Sequence, residues 1–460
     1  MAHLYIAAAH KSSGKTSVSI GLTAALVNQG LSVQTYKKGP DYIDPLWLAH
    51  AAGRACYNLD FFTQNHDEIK STFSSHMANT DIGVVEGNKG LFDGVDIQGS
   101  DSNAALASML GAPVVLVIDT RGMTRGIAAL MQGYLGFDAK VNIAGVILNK
   151  VGGARHEGKL RGALEYYTDI EVLGALGSDS ALEIPERHLG LVPANEANVV
   201  NTMISRLAAA VGSAVNLNRI IEIAESANLV SSPTPLINHT PHSMPPVKIA
   251  IARDSAFGFY YPDDLDAFAQ SGAELIPFDC LNDAHLPEAD GLFIGGGFPE
   301  THLHALSKNH SLLTEIRQAL QAGIPAYAEC GGLMYLARNI HWQDDNRDMV
   351  GFIPADVRVG TKPVGRGYML IEDSGDGLWP PGTDSNAAKS RPAHEFHYAG
   401  LENLDKNPVF ANRVLRGTGI DGENDGLVIG NLQAGFAHQR NTAANPWVER
   451  FVTFVRENKF

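Results

Sequence analysis

IPAYAECGGLMYLAR, residues 324–338, decides the reading of the C-terminal half. IPAYA is an apolar run of strand length, ECGG a turn carrying two glycines after a cysteine, and LMYLAR a helix. A strand that passes through such a turn into a helix makes a nucleophile elbow and lifts the Cys330 sulfur to the mouth of a sheet. The helix N-terminus is expected to lower the thiol pKa, and the Gly331 N–H to help hold an oxyanion. Upstream, GGGFPE at residues 295–300 offers further amide donors at Gly296 and Gly297. Downstream, His438 in NLQAGFAHQR, residues 431–440, is the base best placed by chain order. The blander fate of a free cysteine is a small buried hydrophobe, which is how Cys56 and Cys280 read.

Working toward the N-terminus, AAHKSSGKTSV at residues 8–18 sets Gly14, Lys15 and Thr16 between a strand and a helix. In a phosphate loop the backbone N–H groups cradle phosphate oxygens, the lysine reaches the outer phosphates of ATP, and the hydroxyl binds Mg²⁺. The full pattern wants glycine where Ala9 stands. Carboxylates follow where a metal-dependent phosphoryl site needs them. Asp41 and Asp44 lie in KKGPDYIDP (37–45), and Glu86 and Asp93 in VVEGNKGLFDGVD (84–96). A carboxylate at a strand end beside the phosphate loop is where Mg²⁺ is expected, since the ion keeps one or two carboxylates, phosphate oxygens and water. Lys37 and Lys38 can offset charge on a transferring phosphoryl group. Any one of these acids taken singly reads equally well as a helix cap or a solvated turn. Asn149, near the tip of IAGVILNK, is where a side-chain amide can read adenine. HEFHY spaces His394 and His397 three apart, which is not HExxH, and no metal is assigned there. A thiol that opens an amide, on one chain with a site that spends ATP, implies ammonia made in one place and used in another.

The chain has 460 residues, 45% hydrophobic and 18% charged, enough for two or three domains with their own cores. A net charge of −15 argues against nucleic acid or an anionic membrane as main partner. Three cysteines without CxxC spacing point to a reducing cytoplasm. The longest apolar runs, such as APVVLVID, are too short to span a membrane, and MAHLYIAAAH reads as a first strand rather than a signal peptide. LYIAAA, SVQTYK, DIGVVEG, PVVLVID, IAGVILNKV and EVLGALG alternate with helical stretches, which predicts a parallel sheet covered on both faces over residues 1–224. The stretch 225–246, with five prolines, reads as a linker. VKIAIARD, AELIPFD, DGLFIGGGFPE and IPAYAECGG then open a second α/β domain over 247–460. LWPPGTDSNAAKSRP, residues 378–392, reads as a surface loop.

Taken in order, KKGPDYIDPLW, NLDFF, VVEGNKGLFDG, PERHLGLV, GGGFPE, YAECGGLMYL and AHEFHY resemble the cobyrinic acid a,c-diamide synthases and their hydrogenobyrinic acid relatives along essentially the whole chain. The family's N-terminal half is similar to dethiobiotin synthetase. Its C-terminal half is similar to the class I glutamine amidotransferases, with a flavodoxin-like fold. The resemblance implies ATP and Mg²⁺ binding by Lys15, Thr16, Asp41, Asp44 and Glu86, and contacts to an anionic tetrapyrrole's carboxylates from Tyr42, Ile43 and Asp93. It also implies glutamine hydrolysis by Cys330 and His438, and a c then a side-chain amidation through acyl phosphates. A flat, bulky, anionic substrate needs an open cleft between the domains, which a second subunit of a homodimer is expected to help supply. The phosphate loop reads KSSGKT where the family usually has SGxGKT. Arg440 stands where the family often has a second histidine and where class I amidotransferases carry glutamate, so a Cys/His dyad is expected. The rival readings are an amidase of sirohaem or nickel-sirohydrochlorin and, from another class, a partitioning-type switch ATPase. The switch would need lysine where His10 stands and has no use for the elbow.

Overall fold

A computed structural model describes residues 1–179, 184, 186–187, 190–196, 200–228, 245–380 and 390–459. The chain forms two compact units, Met1–Phe61 with Asn65–Leu236, and Phe62–Gln64 with Ile237–Phe460. Most of the proline-rich stretch read as a linker, residues 229–244, lies outside the described residues, as do parts of PERHLGLV.

The first unit is built on strands β1 (Ala2–Ala8), β2 (Val33–Lys38), β3 (Tyr57–Leu59), β4 (Ile82–Glu86), β5 (Val114–Asp119), β6 (Ile143–Val151) and β7 (Val172–Gly177). They run parallel in the order β3-β2-β4-β1-β5-β6-β7. Helices α1 (Lys15–Asn28), α2 (Ile43–Ala52), α3 (His66–Met77), α4 (Asn103–Met109), α5 (Gly126–Phe137), α6 (Ala154–Tyr167), α7 (Val200–Ala214) and α8 (Leu217–Glu225) cover it. Alternation along each strand sorts the core. Tyr5, Ala7 and Val85 face Phe73, Leu106, Met131 and Leu160 of α3 to α6, whereas Leu4, Ile6 and Val84 face Val18, Leu22, Val211 and Ile220 of α1, α7 and α8. With both faces covered, β5 is buried throughout, which is why it reads as an unbroken apolar run. In such a sheet ligands gather at the carboxyl ends of the strands where the order reverses. The loop after β1, the turn after β2 and the last residue of β4 meet there. A short hairpin, β8 (Glu186–Arg187) with β9 (Gly190–Leu191), lies beyond β7.

The second unit has β10 (Val247–Ala252), β11 (Phe257–Phe259), β12 (Ala273–Phe278), β13 (Gly291–Ile294), β14 (Gly296–Gly297), β15 (Ala326–Glu329), β16 (Ala337–Trp342), β17 (Asp345–Asp348), β18 (Ile353–Val359), β19 (Gly365–Asp373), β20 (Ser390–His397), β21 (Ala399–Glu402), β22 (Val409–Arg416), β23 (Asn424–Ile429) and β24 (Leu432–Gly435). Its main sheet has the order β12-β10-β13-β15-β24-β23-β22-β19-β20. The first five strands are parallel and the rest antiparallel. Helices α9 (Pro262–Gln270), α10 (Leu303–Lys308), α11 (His310–Ala322), α12 (Gly331–Leu336) and α13 (Trp447–Asn458) complete the unit.

Two readings change. The helix after Cys330 is the six-residue α12, and Ala337 and Arg338 already belong to β16. Nor is the 378–392 stretch wholly a surface loop. Trp379 is buried among Tyr327, Trp447 and Phe451, and Ser390–Pro392 opens β20. Residues 381–389 lie outside the described residues. No described helix is long and apolar enough to cross a membrane.

Candidate functional site

In the first unit, the loop after β1 bends through left-handed conformations at Ser12 (φ 66°) and Gly14 (φ 86°). Gly14 must be glycine twice over. Its φ favours no side chain, and a Cβ would lie 2.1 Å from Asn149 Nδ2. Asn149 Nδ2 instead donates to Ser13 O at 2.8 Å, Lys150 Nζ donates to Ser12 O at 3.2 Å, and Ser13 Oγ donates to His10 O at 2.8 Å. Asn149 therefore braces the phosphate loop, a task the adenine-reading expectation did not include.

At the same strand ends Thr16 Oγ1 donates to Glu86 Oε1 at 2.8 Å and lies 3.3 Å from Asp44 Oδ2. Lys37, fully buried on β2, donates to Asp44 Oδ2 at 2.5 Å and to Glu86 Oε1 at 2.8 Å, with Asp41 Oδ2 at 3.9 Å. Burial opposes its charge, but Asp44, Glu86 and Asp41 outweigh that and hold the ammonium well above its usual pKa. Lys15 lies 3.6 Å from Glu86 and is lowered by burial and by Lys37. Asp41 is less committed to the cluster. Its Oδ1 accepts Ile43 N at 2.8 Å, capping α2, and burial and Asp44 push it up to about 7.

Hard oxygens of Thr16, Asp44 and Glu86 thus converge, and the buried Glu86 Oε2 meets no donor among the described residues. That orphaned oxygen fits Mg²⁺, which takes one or two carboxylates and completes its shell with phosphate and water. Among the described residues no three His, Cys, Asp or Glu side chains form a metal cage of their own. Tyr42 is buried at the start of α2, and the Ile43 amide is taken up by Asp41. Asp93 is exposed, with Oδ2 accepting Gly90 N at 3.0 Å.

In the second unit, the elbow is as read. Cys330 follows β15 with φ 48° and ψ −101°, outside the wells open to L-residues. Gly332 allows the turn to close, since a Cβ there would sit 2.1 Å from Ile294 O. A Cβ on Gly331 would touch Gly297 N and O at 3.0 Å, so the amides of the β14 turn and of the elbow lie side by side. The expected lowering of the thiol pKa is not found. Burial, with Glu300 nearby, pushes Cys330 up, and a helix of six residues does not offset it. The thiolate must form by proton transfer to a base.

β15 pairs with β24 from Ala326↔Leu432 to Glu329↔Gly435, and Cys330 N donates to Gly435 O at 2.7 Å. His438 therefore leaves the sheet at the same edge as Cys330. Burial, then His394 and His397, hold its imidazole well below the usual range and hence neutral, as a base requires. Gly296 backs the ring, with a hypothetical Cβ 2.5 Å from Cε1.

Glu329, which sequence reasoning passed over, has Oε2 3.8 Å from His438 Nδ1. Its Oε1 accepts Tyr327 OH at 2.7 Å and Gln439 N at 2.9 Å, and burial pushes it up to about 8. A charged residue on an otherwise apolar buried strand was the available signal. Arg440 is committed elsewhere, donating to Asp263 Oδ2 from Nε at 2.9 Å and from Nη2 at 2.7 Å. His397 stacks on Phe436, and its Nδ1 meets Ala399 O at 2.7 Å.

Residues 248–445 match the CobB/CobQ-like glutamine amidotransferase domain family, and residues 2–186 match an AAA domain family. Cobyrinate a,c-diamide synthase of Magnetococcus marinus is 43% identical over 99% of this chain and 97% of its own length. The protein of the same name from Dehalococcoides mccartyi is 40% identical over 99% and 98%, and that of Methanosarcina acetivorans 38% over 95% and 92%. With identity sustained from end to end and both half-sites in place, the chain belongs to the cobyrinate a,c-diamide synthase family.

Proposed function

We propose that the protein converts the a- and c-side-chain carboxylates of cobyrinate to amides, spending ATP and taking nitrogen from glutamine. End-to-end likeness to relatives named for that reaction carries the choice of substrate, and the two half-sites supply the chemistry. A free carboxylate is a poor electrophile with a bad leaving group. Transfer of the γ-phosphoryl of ATP gives an acyl phosphate, ammonia attacks its carbonyl carbon, and phosphate leaves as the amide forms. The phosphate loop at Gly14, Lys15 and Thr16 positions the triphosphate, and Lys37 neutralises Asp44 and Glu86 so that they do not repel it. Mg²⁺ held by Thr16, Asp44 and Glu86 would stabilise charge on the phosphoryl oxygens. Tyr42, Ile43 and Asp93 are assigned to the substrate's side.

Ammonia comes from the elbow. His438 takes the proton of Cys330, and the thiolate adds to the carboxamide carbon of glutamine. Amides of Gly331 and of the Gly296–Gly297 turn hold the oxyanion. Collapse expels ammonia, protonated by the imidazolium, and water then hydrolyses the thioester to glutamate. Incubation with Mg·ATP and glutamine, offering cobyrinic acid and sirohaem separately, is followed by mass spectrometry. Two amidations of cobyrinic acid are expected, none in Lys15→Ala, and none with glutamine in Cys330→Ser, which still works with ammonium salts. Amidation of sirohaem alone would refute the substrate.

A further inference from the structure

The base of the elbow is held from two sides. Its backbone is fixed by a two-way bridge to β20, His438 N donating to His394 O at 2.7 Å and His394 N donating to His438 O at 3.1 Å. The approach to it is fixed by Asp425, which accepts Phe436 N at 2.9 Å and Ala437 N at 3.1 Å. With the backbone so placed, Nδ1 turns toward Glu329. We propose that Glu329 is the positioning residue of His438, so that the working set is Cys330, His438 and Glu329 rather than a Cys/His dyad. The proposal rests on the assignment of Cys330 and His438 made above and names the acid that assignment lacked.

Glu329 is buried, and its oxygens are sorted. Oε1 is occupied by the Tyr327 hydroxyl and the Gln439 amide, which leaves Oε2 for the imidazole. A carboxylate facing Nδ1 keeps the ring proton on Nδ1 and so frees the Nε2 lone pair for the thiol. Burial raises Glu329 to about 8, so its carboxylate form is taken up above that pH or as positive charge develops beside it: when the proton moves from Sγ to Nε2, the imidazolium in a dry site favours the Glu329 anion facing it. At 3.8 Å the pair sits just beyond hydrogen-bond length, a looseness common in catalytic pairs before substrate arrives. Chain order concealed the arrangement. The acid precedes the nucleophile, and the parallel pairing of β15 with β24 sets Glu329 opposite Gly435, three residues before His438. Elsewhere in this class the acid lies two residues beyond the histidine, where this chain has Arg440 bound to Asp263.

The alternative role for Glu329 is structural, as a core acceptor for Tyr327 and Gln439. Glu329→Gln separates the two, because it keeps size and an acceptor while losing the anion. In the full chain, glutaminase kcat is expected to fall on the order of 10²-fold with KM for glutamine changed less than about threefold. Alkylation of Cys330 by iodoacetamide should slow in parallel, since it reads thiolate formation without turnover. Cys56 and Cys280, 1% and 0% exposed against 6% for Cys330, are out of reach of the reagent and stay silent. Glu329→Asp, which retains the anion, should recover part of both rates. Wild-type kcat and alkylation in Glu329→Gln would overturn the proposal. If that variant fails to fold, Tyr327→Phe takes its place. Freeing Oε1 is expected to cost about three- to tenfold in kcat at constant KM, and an unchanged kcat overturns the proposal equally. Glutaminase surviving in Cys330→Ser would instead show that the underlying assignment fails. Its loss there beside an unaffected Glu329→Gln removes Glu329 alone.

Discussion

Cys330 pays for its reach in backbone strain, and two substitutions measure how much. At φ 48° its ψ of −101° is far from the left-handed helical well near +47°. The strain for a side chain there belongs at the upper end of the range for such outliers, about 3 kcal/mol. Cys330→Ala keeps the strain and loses the sulfur, whereas Cys330→Gly loses both. Against the relief, glycine adds unfolded-state entropy worth about 0.4–1 kcal/mol and gives up one buried methyl worth about 0.8 kcal/mol. The net favours glycine by about 1.2–1.8 kcal/mol. For a unit of this size that raises the unfolding midpoint of Cys330→Gly over Cys330→Ala by about 2–7 °C. Differential scanning calorimetry of the full-length pair reads the difference, with glutaminase absent in both. In nearly every other buried position glycine is the less stable of the two. Equal midpoints, or a more stable alanine variant, would refute the claim that the elbow is strained.

Gly296→Ala puts a methyl 2.5 Å from His438 Cε1, so the imidazole must shift by about 1 Å, and glutaminase should fall on the order of 10²-fold while amidation from ammonium salts is unchanged. Asp425 supplies a pH signature. Burial raises it to about 6, against the donors Phe436 N and Ala437 N, so the folded chain binds that proton more tightly than the unfolded one. Its contribution to stability is therefore full below about pH 4 and is lost as pH rises toward 6, by on the order of 1–3 kcal/mol. Relative to wild type, Asp425→Asn should gain urea resistance between pH 4 and 6 and gain no more above it. A pH-independent difference would refute this.

The features that sequence disclosed are those whose geometry is written in consecutive residues. A phosphate loop and an elbow each need a strand, a short turn of small residues and a helix in order. The central parallel strands, such as β5 and β13, were legible because both faces are buried and the runs are continuous. The antiparallel strands β19 to β23 were not, because they are half buried and alternate. β20, for instance, has Ala393, Glu395 and His397 buried, with His394 and Phe396 half-buried between them. Trp379 illustrates the same limit. Its prolines and polar neighbours announce a loop, and only the aromatic cluster of Tyr327 and Trp447 explains why this one side chain turns in.

The remaining features depend on register. Lys37 and Lys38 are equivalent as letters, both offered as partners for a phosphoryl group. Strand alternation turns their side chains to opposite faces of the sheet, and β2 pairs with β4 so that Lys37, not Lys38, falls opposite Glu86. The ammonium of Lys37 is thereby spent between Asp44 and Glu86, and burial lowers the pKa of Lys38. Lys15, held less tightly at 3.6 Å from Glu86, is left to meet the outer phosphates, at a pKa lowered by burial and by Lys37 beside it. The same logic placed Glu329 against His438, since a one-residue slip of β15 on β24 would carry the acid to the other face. The chemistry of both sites is therefore fixed twice. Local motifs fix the loops that bind, and strand pairings between residues far apart in sequence fix which charges those loops face.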